Sequence, residues 1–366
     1  MKKSVILISS YFVILFTKIK REDGMESPEY VRTSLAAGMT LGLVPGRFYR
    51  DAKLYCINLL VTYRDGCTAN CSYCGLSKLR PGDYEGKSFI RVDWPVFPTE
   101  LISETISRLE KDKGIKRVCI SMITRRRAVE DTVEIAKRIR MLSDVPISML
   151  VSPTVLLERD FISLKEAGAD KIGIAIDAAT ERLFEQHRGG GVHGPHRWER
   201  YWKMFEIALE YFGEGNVGSH FIVGIGETEK EMVAAIQKVK DLGGETHLFS
   251  FFPEPLSRLQ EHPRPHISTY RRIQLARYLI DNGISRMDMM AFDGKDRIID
   301  FGVEIEPYLN TGKPFMTSGC IGRDGQVACN RPYANERPSE EPRNFPFPPT
   351  LEEINAIRRE LMAFID

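Results

Sequence analysis

Six short apolar runs punctuate the middle of this 366-residue chain: Tyr55 to Tyr63, Arg117 to Ile123, Ile147 to Ser152, Lys171 to Ile176, Asn216 to Val223 and Thr246 to Phe252. Each is rich in Ile, Val, Leu and Phe, as a strand buried on both faces must be. Most are followed by 15 to 30 residues carrying helical spacing, such as Val133 to Leu142, Val155 to Ala167 and Glu229 to Leu242. Parallel strands need crossover connections that pack back on the sheet, so this alternation predicts an α/β fold with helices outside a parallel sheet. Six units over about 200 residues fit a partial (βα)6 barrel better than an eight-unit barrel of ~250 residues. A doubly wound open sheet is the alternative. Either way, reactive groups belong at the C-terminal ends of the strands. The expected organisation is an N-terminal extension over 1–24, a helical segment over 25–54, the barrel over 55–253 and a C-terminal extension over 254–366 that closes the barrel base.

The first strand run leads into Cys67-Thr-Ala-Asn-Cys71-Ser-Tyr-Cys74. Three thiolates within eight residues can ligate three irons of a [4Fe-4S] cluster and leave the fourth iron without a protein ligand. A structural zinc site needs four N/S ligands, and no fourth Cys or His lies close in sequence.

The CxxxCxxC spacing, with aromatic Tyr73 before the last Cys, resembles the signature of the radical S-adenosylmethionine (SAM) family. The resemblance covers most of residues 55 to 253 and implies that the open iron binds the amino and carboxylate groups of SAM. One-electron cleavage then gives a 5′-deoxyadenosyl radical. It further implies SAM contacts from Tyr73, from Gly224, Gly226 and Glu227 in FIVGIGET, from Asp177 as a ribose-binding carboxylate, and from Arg188 for the SAM carboxylate. Each has a plain structural alternative: a glycine turn for GIGE, a helix cap for Asp177. The family's usual Gly-Gly-Glu is absent after the second strand, where the chain reads Cys119-Ile-Ser121-Met122, leaving Ser121 or backbone carbonyls to meet the SAM amine.

Four cysteines remain. Cys56 opens the first strand, so at ~3.3 Å per residue it lies roughly 20 Å or more from the loop thiols. Cys320 and Cys329 flank a glycine-rich turn in SGCIGRDGQVACNRP. Each alone reads as a small buried residue. Together they supply three ligands for an auxiliary [4Fe-4S] cluster at the barrel base, if the C-terminal segment folds beneath it. Cys119 is a competing ligand, since it occupies the place of a cluster cysteine in biotin synthase. Ser318 and one of Arg125 to Arg127 are further candidates, although a turn and a solvated face account for them equally well.

Beyond the triplet, SPEYVRTSLAAGMTLGL, GPHRWERYW and SGCIGRDGQVACNRPYANERP resemble the biotin synthase-related, archaeal-type two-protein lipoyl synthases, most of all the partner that acts on the octanoyl substrate. That resemblance implies a radical SAM sulfurtransferase. Its auxiliary cluster donates sulfide to an octanoyl chain on a lipoyl-carrier protein, either H protein or an E2 lipoyl domain. The implied partners are that carrier, a second radical SAM lipoyl synthase component and an electron donor such as ferredoxin or flavodoxin. A different radical SAM activity without sulfur insertion, or an iron-sulfur carrier, are the rival readings. Leu60, Met122, Met149 and Phe221 are apolar candidates for an acyl-binding lumen, although an ordinary core would use them as readily.

Charge and termini add limits. With 51 Lys+Arg against 50 Asp+Glu, bulk electrostatics give no reason to bind nucleic acid. Seven cysteines are an odd number and a small fraction of the chain, so a reducing, cytoplasmic setting is expected. The apolar run from Val5 to Phe16 is too short to span a bilayer, so no membrane partner is expected. No small-residue cleavage site follows the run, and Met25 is the expected start. Starting there leaves 342 residues and drops five basic and two acidic ones, moving the formal charge from +1 to −2. The proline-rich stretch from Arg337 to Thr350 reads as a connector. Helical spacing from Leu351 to Ile365 predicts a final amphipathic helix.

Overall fold

In the computed structural model of the protein, which describes residues 24–50, 52–89, 91–111, 114–330 and 336–363, all six apolar runs are strands. They are β2 (Cys56–Val61), β4 (Arg117–Ser121), β5 (Ile147–Val151), β6 (Ala169–Asp177), β7 (Val217–Val223) and β8 (Glu245–Ser250). Two short strands, β1 (Tyr30–Thr33) and β3 (Val96–Pro98), extend the sheet on one side. The order is β3-β1-β2-β4-β5-β6-β7-β8. Every pair from β2 to β8 is parallel. The strands follow chain order with no reversal, so the doubly wound alternative, which needs a switch point, is not realised. β2 and β8 do not pair among the described residues, and the curved sheet is a partial barrel.

Helices α2 (Thr99–Leu109), α3 (Ala128–Leu142), α4 (Asp160–Glu166), α5 (Glu181–His187), α6 (Trp198–Phe212) and α7 (Glu229–Asp241) make the crossovers after a short α1 (Leu35–Thr40). Each of the longer ones buries one stripe, as α3 does with Val129, Ile135, Ala136 and Ile139. The segment 25–54, expected to be helical, holds the short α1 and opens with the strand β1. Its pairing of Val31 with Val61 and Arg32 with Leu60 satisfies the free edge of β2. The helix expected from Val155 begins only at Asp160, because the Asp160 carboxylate accepts a hydrogen bond from the Leu157 amide at 2.7 Å and holds the preceding residues as a turn.

Beyond the barrel, α8 (Ile267–Asp281) packs against α7 and β8. A buried pair, Arg272 with Glu229 at 2.6 Å, locks α8 to α7, and the same guanidinium donates to the carbonyls of Leu361 and Ala363. Removing one partner of such a pair costs roughly 3–5 kcal/mol. The final helix α10 (Leu351–Met362), preceded by the single turn α9 (Glu306–Leu309), starts at a Thr350–Glu353 capping box. It ends short of the expected Ile365, which lies outside the described residues, as do 1–23 of the N-terminal extension with their apolar run. Among the described residues, no helix is long and apolar enough to cross a membrane.

Strand parity decides what faces the lumen. Leu60, Leu150, His220, Ile222, Phe249 and Phe251 line it. Phe221 lies on the opposite face of β7, fully buried against the helices, so that acyl-lumen candidate belongs to the outer core.

Candidate functional site

The loop after β2 carries the thiol triplet into the C-terminal mouth of the barrel. Cys67, Cys71 and Cys74 line one opening of about 1100 Å³, continuous with solvent, together with Tyr73, Ser121, Asp177 and Arg188. Backbone bonds pin the loop on two sides: Thr68 donates to the Thr124 carbonyl, and Ser72 to that of His187. Gly75 is required by close packing, because a Cβ there would overlap the Ser88 carbonyl oxygen. Buried Glu254 ties the same region, accepting from the Arg91 amide at 2.6 Å and from Ser88 Oγ.

Burial raises the thiol pKa values: Cys71 to about 11, and Cys74 well above its ordinary value, with the neighbouring thiols adding to the effect. Such thiols become thiolates when a metal centre supplies compensating positive charge.

Asp177 ends β6 in the left-handed region, φ 64°, an uncommon conformation for a non-glycine residue and one that clusters at functional sites. Its carboxylate accepts from Tyr73 OH at 2.6 Å and pairs with Arg188 at 3.3 Å. Arg188 is clamped by the carbonyls of Ala175 and Ile176 and by Tyr201 OH. Its Nε is buried with no hydrogen-bond partner. An orphaned guanidinium N–H beside three thiols and a carboxylate fits a ligand that carries a carboxylate and a ribose, as SAM does.

Gly224, Gly226 and Glu227 stand apart from this set. Glu227 folds back to accept from the amides of Gly224 and Ile225 at 2.5 and 3.0 Å. The space beside Gly224 is filled by the Pro265 ring, and that beside Gly226 by Leu183. The three residues shape the turn after β7, and none of them lines the opening.

His196, within the GPHRWERYW stretch but given no role by the sequence, lines the opening. Its Nδ1 meets Thr154 Oγ1 at 2.6 Å and Tyr201 OH at 2.9 Å. Burial, reinforced by Arg188 and Arg197, lowers its pKa to about 2 and holds it neutral.

At the other end of the lumen, Cys56, Cys119 and Cys329 pack together with half-buried Cys320 against them. The hairpin carrying the last two closes through Ile321 and Val327 and through the Cys329 amide to the Cys320 carbonyl at 2.9 Å. Arg117 holds it in place, donating to the Ile321 carbonyl at 2.8 and 2.6 Å while it pairs with Asp170. A Cβ at Gly319 would overlap the Cys329 carbonyl oxygen. Burial raises the thiols of Cys56 and Cys320, the latter to about 11, while Arg117 draws both down.

The geometry thus brings Cys119 into the lower group. Ser318 lines the small cavity above that group but spends its hydroxyl on the Thr246 carbonyl at 3.3 Å. Arg125 and Arg127 lie at the other end, bonded to the Gly66 and Ser27 carbonyls; they are excluded as ligands of the lower group because the β4 strand separates them from it. All seven cysteines are free thiols. Among the described residues, no three His, Cys, Asp or Glu side chains converge on a single-ion site. A four-iron cube takes one thiolate per corner and calls for sulfurs spread around a larger body than a single ion.

Residues 61–239 match the family model described as the Radical SAM superfamily. Solved structures similar to it include the FeFe-hydrogenase maturase HydG from Carboxydothermus hydrogenoformans, 15% identical with TM-score 0.47, over 68% of this chain and 59% of that one. A second is the radical SAM methyltransferase TsrM from Kitasatospora setae, 13% identical with TM-score 0.39, over 71% and 50%. A third is a radical SAM methyltransferase from Sphaerobacter thermophilus, 13% identical with TM-score 0.44, over 69% and 72%. The chain spans little more than half the length of the maturase structures it matches. No curated protein matches it.

Proposed function

From the match of residues 61–239 to the Radical SAM superfamily, we propose that this chain is a radical SAM sulfurtransferase that inserts sulfur into an unactivated C–H bond of an octanoyl chain on a lipoyl-carrier protein. The observation that carries the reading is the gathering of Cys56, Cys119, Cys320 and Cys329 at the far end of the lumen whose mouth holds Cys67, Cys71 and Cys74. In this reading the upper thiols hold a cluster that binds SAM, and the lower four hold an auxiliary [4Fe-4S] cluster. When bound, these groups supply a hydrogen-abstracting radical above and sulfide below.

The chain's own residues would do the rest. Arg188, through its free Nε, would meet the SAM carboxylate, and Asp177 beside it would meet the ribose. Tyr73 would fix the Asp177 carboxylate by its 2.6 Å hydrogen bond. Apolar Leu60, Ile222, Phe249 and Phe251 would exclude water from around an acyl chain. Arg117 would offset the negative charge of the lower group. The partners in this reading are the octanoylated carrier, H protein or an E2 lipoyl domain, a second radical SAM lipoyl synthase component, and ferredoxin or flavodoxin as electron donor.

Mass spectrometry of an octanoyl-lysyl peptide after incubation with SAM and the reduced, iron-loaded protein tests the proposal. A gain of one sulfur is expected, and a gain of two shows that the chain works alone. SAM cleavage with no sulfur gain sinks the sulfurtransferase reading in favour of other radical chemistry. In a separate measurement, Asp177→Asn is expected to weaken SAM binding by roughly 10- to 100-fold, the range for a lost charged hydrogen bond, with iron content unchanged. Undiminished affinity removes Asp177 from the SAM site.

A further inference from the structure

The upper opening and the small cavity above the lower thiols are separated by one layer of side chains. Leu150 on β5, His220 on β7 and Phe249 on β8 line both spaces. They step along the sheet as strands of a barrel do: Leu150 pairs with Gly173 and Gly173 with Gly218, two residues before His220, which pairs with His247, two residues before Phe249. Two glycines make the layer possible. A Cβ at Gly173 would meet Leu150 Cδ1 at 2.9 Å, and one at Gly218 would meet His247 Nε2 at 2.8 Å, so these side chains lean inward over positions that offer no side chain of their own. The His220 ring packs against Phe249 at 5.1 Å and His247 at 5.6 Å. The result is an apolar shaft with a partly polar floor.

We infer that this layer is a depth stop that reads the length of a linear acyl chain entering from the mouth of the barrel. The inference rests on the acyl-substrate reading above and gives that reading a specificity determinant, His220. From Phe252 at the mouth to Phe249 at the floor is three residues along the strand direction, roughly 10 Å, close to the extended length of an eight-carbon chain. A chain that ends at the floor has its far carbons beside the cavity over the lower thiols. A shorter chain leaves the shaft unfilled, and a longer one must fold back.

Binding measures this without turnover. Iron-loaded protein is titrated with hexanoyl-, octanoyl-, decanoyl- and dodecanoyl-lysyl peptides against a fluorescent acyl probe. Each added methylene in an apolar shaft tightens Kd about fourfold, so affinity should rise roughly 15-fold from hexanoyl to octanoyl and then level or fall. His220→Ala should move that break to decanoyl or beyond by joining the two spaces. Ala175→Leu, which fills the shaft above the floor, should move it towards hexanoyl, so the inference stays testable if one variant fails to fold. A wild-type break at octanoyl that neither variant moves overturns the depth stop and leaves the acyl reading standing. Wild-type affinity that does not rise with chain length overturns both.

Discussion

Replacing Cys71 with alanine is expected to halve the iron content, from about eight to about four atoms per chain, and to reduce formation of 5′-deoxyadenosine from SAM to the uncatalysed background. The thiol is buried in the loop that Thr124 and His187 anchor, so the substitution removes one sulfur and leaves the backbone bonds that position the other two. A cluster with two protein ligands has lost the corner that held it. The four remaining irons then report on the far end of the barrel and show that the fold persists. Continued cleavage of SAM by this variant would dismiss the triplet as the reactive centre.

The second large effect separates the two ends. Cys119→Ala should also leave about four irons per chain, yet SAM cleavage should continue, and the sulfur gain on the octanoyl peptide should vanish. Ser318→Ala should leave all eight irons, because that hydroxyl is engaged with the Thr246 carbonyl and Cys119 already packs with Cys56 and Cys329. The opposite pair of outcomes, iron lost with Ser318 and kept without Cys119, would reassign the fourth position. Iron analysis, 5′-deoxyadenosine chromatography and peptide mass spectrometry on the same samples give the three readouts.

The barrel was legible because its strands are buried on both faces and so form continuous apolar runs, which a linear reading detects. β1 and β3 were not, since four and three residues carry too little pattern, and their pairing depends on the free edge of β2. The triplet was legible from spacing within one loop. The place of Cys119 was open because nothing along the chain gives register: Cys119 pairs opposite Asn58, and only that alignment puts it on the lumen side near Cys56. His220 and His247 carry no local motif and become neighbours of the site because β7 and β8 pair them directly; His196 comes to the site from the loop before α6. Gly224, Gly226 and Glu227 show the reverse case, a recognisable segment in which Glu227 is spent on its own turn while Pro265 and Leu183 fill the space beside the two glycines.

The lower thiols have a consequence for how the molecule is made. Asn330, next to Cys329, donates to the Lys53 carbonyl across 277 positions of sequence, and Cys320 and Cys329 leave the ribosome long after β2 and β4. The upper triplet is complete within eight consecutive residues and can gather iron while synthesis continues. The lower group comes into being only when the last eighth or so of the chain, from Cys320 onward, reaches the base of the barrel. In the proposed reading the thiols of the mouth are therefore synthesised first and those of the base last, and a chain truncated before Cys320 lacks two of the four lower thiols.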